Sequence, residues 1–332
     1  MSDPAAASPA GTVAGTVVGT VALLFPGQGA QTVGMGRAAY DRSAAARAVF
    51  ARADRALGLP LSRLCFEGPE DDLRQTRHQQ PAILACSLAL LAARQEQAGP
   101  FAATVATGHS LGLYSALVAA GSLTLEEALR LVARRGELMQ RAADRVPGGM
   151  AAVLGADDAT VEAVCAEASR DGGEGMDVVV AANYNAPEQV VISGARAPLE
   201  RAMVLLRERG ARKVVPLAVA GAFHSPLMRP AAEELRPALD AAPIADPAYP
   251  VIANSAPALL RTAEAIRAEL AMQVLAPVRW TAAVRAIAAA PDAPEAFVDC
   301  GPGATLAALL KRIAPGATVV KLDEPVAVSY EP

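Results

Sequence analysis

Gly108-His109-Ser110-Leu111-Gly112 follows an apolar stretch and precedes a helical one. This G-x-S-x-G pattern suits a serine nucleophile raised on a sharp strand-to-helix turn, with small flanking residues relieving backbone crowding. The helix that follows offers free N–H groups and the positive end of its dipole to a developing oxyanion. Such a pentapeptide also arises by chance in an Ala/Gly-rich chain; its strand–turn–helix setting favours the catalytic reading of Ser110. A serine nucleophile needs a base, and the chain holds only three histidines, His78, His109 and His224. His109 adjoins the serine and should leave the turn in another direction. His78 sits in polar Arg77-His78-Gln79-Gln80, a solvated loop or helix start. His224 follows an apolar strand in Ala222-Phe223-His224-Ser225-Pro226, at a strand end where α/β sites gather. Elimination selects His224 as general base.

The elements that must position these residues read as α/β. Strands are expected at Thr20–Phe25, Ala103–Thr107, Pro250–Ala253 and Ala296–Cys300. Helical periodicity marks Arg37–Leu57, Pro81–Gln97, Leu111–Ala120 and, after the capping signal Thr124-Leu125-Glu126-Glu127, a helix to about Ala142. Between Gly149 and Val219 the order becomes β-α-β-β-α-β, the split arrangement of ferredoxin-like domains. The expected organisation is a flexible N-terminal tail (1–18), an α/β-hydrolase-like catalytic domain (19–146 and 220–332) and an inserted ferredoxin-like small domain (147–219).

Composition narrows the function classes. The chain has 332 residues, 53% apolar and 19% charged, with a net charge of −4. That is enough apolar surface for a large core, and too little positive charge for coating nucleic acid. Cys65, Cys86, Cys165 and Cys300 are widely spaced and form no zinc-type cluster, which points to a reducing, cytoplasmic setting without a metal. The uncharged runs are interrupted by Gly, Pro and Gln, and read as buried strands with loops rather than membrane spans.

Taken together, the motifs resemble one family, the bacterial malonyl-CoA:acyl carrier protein transacylases and the related acyltransferases of polyketide synthases. The matching segments are Phe25-Pro26-Gly27-Gln28-Gly29-Ala30-Gln31, Gln80-Pro81-Ala82, Gly108–Leu117, Arg135-Gly136, Gly221–Met228, Gln273–Trp280 and Gly301-Pro302-Gly303. The resemblance implies the fold just outlined and a Ser110–His224 dyad, with the backbone carbonyl of Gln273 orienting the histidine. It also implies an oxyanion hole from the N–H groups of Gln28 and Leu111, and Arg135 binding the free malonyl carboxylate. Gly221-Ala222-Phe223-His224 resembles the HAFH motif of malonyl-selective polyketide acyltransferases, which makes Phe223 a specificity position. Leu113 stands where most relatives carry glutamate, and is a second one.

The implied activity is transfer of a malonyl or related acyl group from coenzyme A to the phosphopantetheine thiol of an acyl carrier protein, in fatty-acid or polyketide biosynthesis. No cofactor is implied beyond the coenzyme A thioester substrate. Rivals are an acyl hydrolase, a carrier-to-carrier acyltransferase for a non-malonyl group, and a non-catalytic carrier-protein docking module. Acidic carrier proteins call for a basic patch, for which Arg207, Arg209, Arg212 and Lys213 are candidates, although an ordinary solvated surface also accounts for them.

Overall fold

The computed structural model describes residues 19–169 and 177–323; the expected tail, 1–18, lies outside them. Strand β1 (Thr20–Phe25) leads to α1 (Arg37–Arg42), α2 (Ala44–Leu57), α3 (Leu61–Glu67), α4 (Glu70–Arg74) and the long α5 (Thr76–Ala98). Then come β2 (Ala102–Gly108), α6 (Gly112–Ala119) and α7 (Leu125–Arg145). The insert contributes β3 (Gly148–Leu154), α8 (Asp158–Ala168), β4 (Val179–Ala186), β5 (Gln189–Ala195), α9 (Arg196–Glu208) and β6 (Lys213–Pro216). After a 3-10 turn at Pro226–Met228 the chain forms α10 (Arg229–Ala241), β7 (Val251–Ile252), β8 (Leu259–Leu260) and α11 (Ala263–Gln273). It closes with α12 (Trp280–Ala288), β9 (Ala296–Asp299), α13 (Thr305–Ile313) and β10 (Val319–Lys321).

Two sheets result. The larger has the order β10-β9-β1-β2-β7-β8, parallel except for β8. Helices cover both faces, so its central strands are apolar throughout: Val21 to Phe25 are all buried. The smaller sheet, β4-β5-β3-β6, is antiparallel and comes entirely from 148–216. Its strand order and connectivity are those of a ferredoxin-like fold, so the molecule is an α/β-hydrolase-like domain carrying a ferredoxin-like insert.

Local departures from the sequence reading have local causes. The 37–57 helix is two helices, because Ser43 is extended (φ −120°) and its Oγ accepts the Ala46 N–H at 3.0 Å as an N-cap. Helix α5 begins at Thr76, ahead of Pro81, which lies inside it. His78 is thus in its first turn, with Nδ1 3.0 Å from the Asp72 carbonyl. From Gln79 to Leu91 this helix is buried all round, as suits a central core helix. Strand β4 runs to Ala186 and near its end pairs with the large domain: the Tyr184 N–H donates to the Val278 carbonyl at 2.9 Å, and the Val278 N–H to the Ala182 carbonyl at 2.8 Å. That pairing ties the insert to the main body beside the nucleophile.

Candidate active site

The elbow at Ser110 is built by steric necessity. Ser110 has φ 50°, a left-handed conformation rare for a residue with a Cβ and a form of strain that concentrates at functional sites. It is tolerated because Gly108 and Gly112 leave room. A Cβ on Gly108 would lie 2.0 Å from the Gly112 carbonyl carbon, and one on Gly112 would lie 2.1 Å from the Phe25 carbonyl oxygen. The His109 N–H donates to that same Phe25 oxygen at 2.9 Å, which pins the loop after β1 to the elbow. Gln28 therefore faces Ser110 across a cavity of about 140 Å³. Among the described residues, neither the Gln28 nor the Leu111 N–H donates to a backbone carbonyl, so both remain available to an incoming oxyanion.

His224, 114 positions away in sequence, meets the serine at a hydrogen-bond distance of 2.7 Å from Nε2 to Ser110 Oγ. It too has a left-handed backbone, φ 57°. Its Nδ1 lies 3.0 Å from the carbonyl oxygens of both Gln273 and Ala276. Carbonyls only accept, so Nδ1 carries the proton and Nε2 presents its lone pair to the hydroxyl. Burial, reinforced by the nearby Arg135 charge, pushes the imidazole pKa down to about 3, so the ring is a neutral base at ordinary pH. The sequence reading named Gln273 for this orientation; Ala276 is a second carbonyl that it missed.

Arg135 projects from α7 and is only 1% exposed. Its Nη2 donates to Ser110 Oγ at 3.0 Å and to Gln273 Oε1 at 3.3 Å, and its Nη1 to Gln80 Oε1 at 2.9 Å. Gly136 makes this possible: a Cβ there would lie 2.6 Å from the Thr76 carbonyl oxygen, so only glycine lets α7 approach α5 closely enough for Arg135 to reach Gln80. Neighbouring Arg134 points outward to Glu137. The Arg135 Nε–H has no partner among the described residues.

Other members were not legible in the sequence. The Asn254 amide donates to the Gly108 carbonyl at 2.8 Å and accepts from Gln273 Nε2 at 3.0 Å. Gln273 Nε2 also donates to the Ser110 carbonyl at 2.8 Å. Glu269 accepts from the backbone of Asn254 and Ser255. A position directly after β7, at the carboxyl end of a parallel strand, was the available signal for Asn254. His109 turns away from the dyad, as expected, and bonds Asn185 of β4 at 2.8 Å.

Of the two specificity positions, Phe223 lines the cavity with Met150, Val191, Leu217 and Val219. Leu113 does not: it is fully buried in the main core. Any influence of Leu113 on the acyl group must pass through its neighbours. The suggested basic patch is partly engaged elsewhere, since Arg209 pairs with Glu167 and Arg207 donates to the Val214 carbonyl. Cys65, Cys86, Cys165 and Cys300 are all free thiols and buried. Among the described residues no cluster of three metal-ligating side chains occurs, and no helix is long and apolar enough to cross a membrane.

Residues 22–322 match the model of the acyl transferase domain family. The chain is 39% identical over 305 residues to the malonyl CoA-acyl carrier protein transacylase of Bacillus subtilis (strain 168), covering 92% of this chain and 94% of that protein. The crystal structure of an acyl-carrier-protein S-malonyltransferase from Burkholderia pseudomallei 1710b superposes with a TM-score of 0.86 at 41% identity, covering 92% and 97% of the two chains. A malonyl-transacylase in complex with a type II polyketide-synthase acyl-carrier protein gives a TM-score of 0.86 at 37% identity, with 92% and 96% covered. These matches run along nearly the whole described length, and the chain belongs to the acyl transferase domain family.

Proposed function

We propose that the protein is a malonyl-CoA:acyl carrier protein transacylase that works through a malonyl-serine intermediate. Neutral His224 takes the Ser110 proton as Oγ attacks the thioester carbonyl. The N–H groups of Gln28 and Leu111 receive the negative charge on the tetrahedral oxygen; one such donor typically contributes about 10²–10³ in rate. Collapse breaks the carbon–sulfur bond, and His224 returns its proton to the departing coenzyme A sulfur. In the second half-reaction the phosphopantetheine thiol of the carrier protein gives its proton to His224 and attacks the malonyl ester. Breakdown of that adduct expels Ser110 Oγ, which recovers the proton. These steps draw on no metal or redox cofactor. The reading carries with it a place in fatty-acid or polyketide biosynthesis and a cytoplasmic location.

The observation that carries the malonyl assignment is Arg135. A guanidinium buried beside the nucleophile, with no carboxylate partner among the described residues, is a costly arrangement unless an anion completes it. Once Oγ is esterified, the N–H that donates to it is free for the malonyl carboxylate, and the planar fork suits that group. An acyl hydrolase for uncharged acyl groups has no use for such a cation.

The test is incubation with malonyl-CoA and intact-mass measurement, followed by addition of phosphopantetheinylated acyl carrier protein. A malonyl adduct that appears on the enzyme and then moves to the carrier is expected. An adduct that is lost to water at the same rate with and without carrier would instead identify a hydrolase, and absence of any adduct would remove the transacylase reading.

A further inference from the structure

Arg135 holds its charge in unusual company. Among the described residues, the three oxygens that accept from its fork are all neutral: Gln80 Oε1, Gln273 Oε1 and Ser110 Oγ. Beneath it lies the face of the Tyr114 ring, 5.9 Å away. Buried arginines are ordinarily paired with acids. The nearest acid of this network, Glu269, is kept at a distance: it accepts from the Asn254 backbone N–H, while Asn254 Oδ1 accepts from Gln273 Nε2 and Gln273 Oε1 accepts from Arg135.

Both glutamines turn their amide oxygen to the arginine. The Gln273 amide nitrogen is occupied by the Ser110 carbonyl and Asn254 Oδ1. The Gln80 amide nitrogen points to the Met139 sulfur at 3.5 Å, a weak acceptor that leaves Oε1 for Arg135 Nη1. An amide oxygen accepts with nearly the geometry of a carboxylate oxygen but without its charge.

We propose that Gln80 and Gln273 form a neutral amide cradle that aims the Arg135 fork at the acyl site and leaves its charge uncompensated for the substrate. The two glutamine side chains are thus specificity-determining positioning residues for acyl groups that end in a carboxylate. This rests on the transacylase reading above and goes beyond it: Arg135 supplies the charge, and the amides keep that charge unspent. A glutamate at either position would pair with Arg135 internally and remove the reason for an anionic acyl group to bind.

Gln80→Glu is the sharpest test, because Gln80 touches Arg135 and not the nucleophile; Gln273→Glu is the second. Acylation by malonyl-CoA and by acetyl-CoA is followed by intact mass over a range of concentrations. The malonyl-to-acetyl ratio of kcat/KM is expected to fall at least tenfold in each. Gln80→Met, uncharged and similar in length, covers the case in which the glutamate variants do not fold. It loses the acceptor without adding a charge, and the ratio should fall by a smaller factor. Equal slowing of both substrates, or an unchanged ratio, overturns the cradle. Wild-type protein that takes no malonyl group at all overturns the transacylase reading instead, so the two failures are distinguishable.

Discussion

The two walls of the acyl cavity are built on opposite principles. On the large-domain side stand Ser110, His224, Arg135 and the amides behind them, buried, polar and joined by hydrogen bonds whose partners lie 19 to 163 positions apart in sequence. On the other side the insert and the segment returning from it present mainly apolar groups, Met150, Val191, Leu217, Val219 and Phe223, beside Asn183 and Asn185 of β4. The polar wall fixes where charge goes, because a buried hydrogen-bonded group has one satisfactory partner arrangement. The apolar wall fixes only how much room is left, because dispersion contacts are non-directional. Chemistry and charge selection therefore belong to the polar wall, and selection by acyl shape to the apolar one. Changes in the polar wall should cost orders of magnitude; changes in the apolar wall should cost small factors.

The largest expected effect is at Ser110. Ser110→Ala removes the atom that forms the ester, and no malonyl mass adduct should be detectable; an adduct of normal yield would place the nucleophile elsewhere. His224→Ala should slow both half-reactions by about 10²–10⁴, the usual range for a positioned general base. Single-turnover measurement of each half-reaction checks this, and a defect confined to one of them would contradict a shared base.

Arg135 comes next, with two readouts. Arg135→Ala should lower malonyl acylation relative to acetyl acylation by at least about tenfold, since a charge-assisted hydrogen bond contributes roughly 1.5–3 kcal/mol and each 1.4 kcal/mol is a decade. Arg135→Lys should restore part of the loss, because a point charge does not reproduce the fork. The second readout is pH. Burial first, and the Arg135 charge second, depress the His224 pKa to about 3. The base thus stays unprotonated as pH falls from 7 toward 4, and wild-type acylation should show no limb near the ordinary imidazole value. In Arg135→Ala the repulsion is gone while burial remains, so the limb should move up. A wild-type limb at about 6.5, the unperturbed histidine value, would contradict the buried neutral base.

The same contrast explains what the sequence disclosed. Ser110 and His224 were legible because few residues could serve: one elbow motif, three histidines. The ferredoxin-like order was legible because strand and helix periods alternate cleanly from Gly149 to Val219. Arg135 was not separable from Arg130, Arg134 and Arg141 by spacing alone; only the family resemblance singled it out, and the structure shows the reason in Gly136. Asn254 and the side chain of Gln273 were invisible, since an amide that braces a loop leaves no periodic or motif signature. The direction of the Leu113 side chain was not legible, because a position three residues past the nucleophile says nothing about which way a helix side chain points. It enters the core, where hydrophobic neighbours surround it.

The smallest effect, and the one that isolates the apolar wall, is at Phe223. Its ring is almost fully buried, packs into the main core and borders the cavity next to His224. An α-methyl group on the acyl chain needs space on that side. In a closed pocket one extra methylene is worth about 1–3 kcal/mol of discrimination. Phe223→Ala would open the cavity but also cost about 3–5 kcal/mol of stability, blurring the result. Phe223→Leu removes part of the ring while keeping the core filled. It should raise the methylmalonyl-to-malonyl acylation ratio about two- to tenfold, at or below the low end of a methylene-scale effect, because leucine removes only part of the ring. The malonyl-to-acetyl ratio should stay near its wild-type value, because the carboxylate still meets Arg135. Competition between the coenzyme A thioesters, read as relative adduct masses, measures both ratios in one experiment. A change in the second ratio as large as in the first would mean that the two walls are not separable, and that Phe223 acts on charge placement as well as on shape.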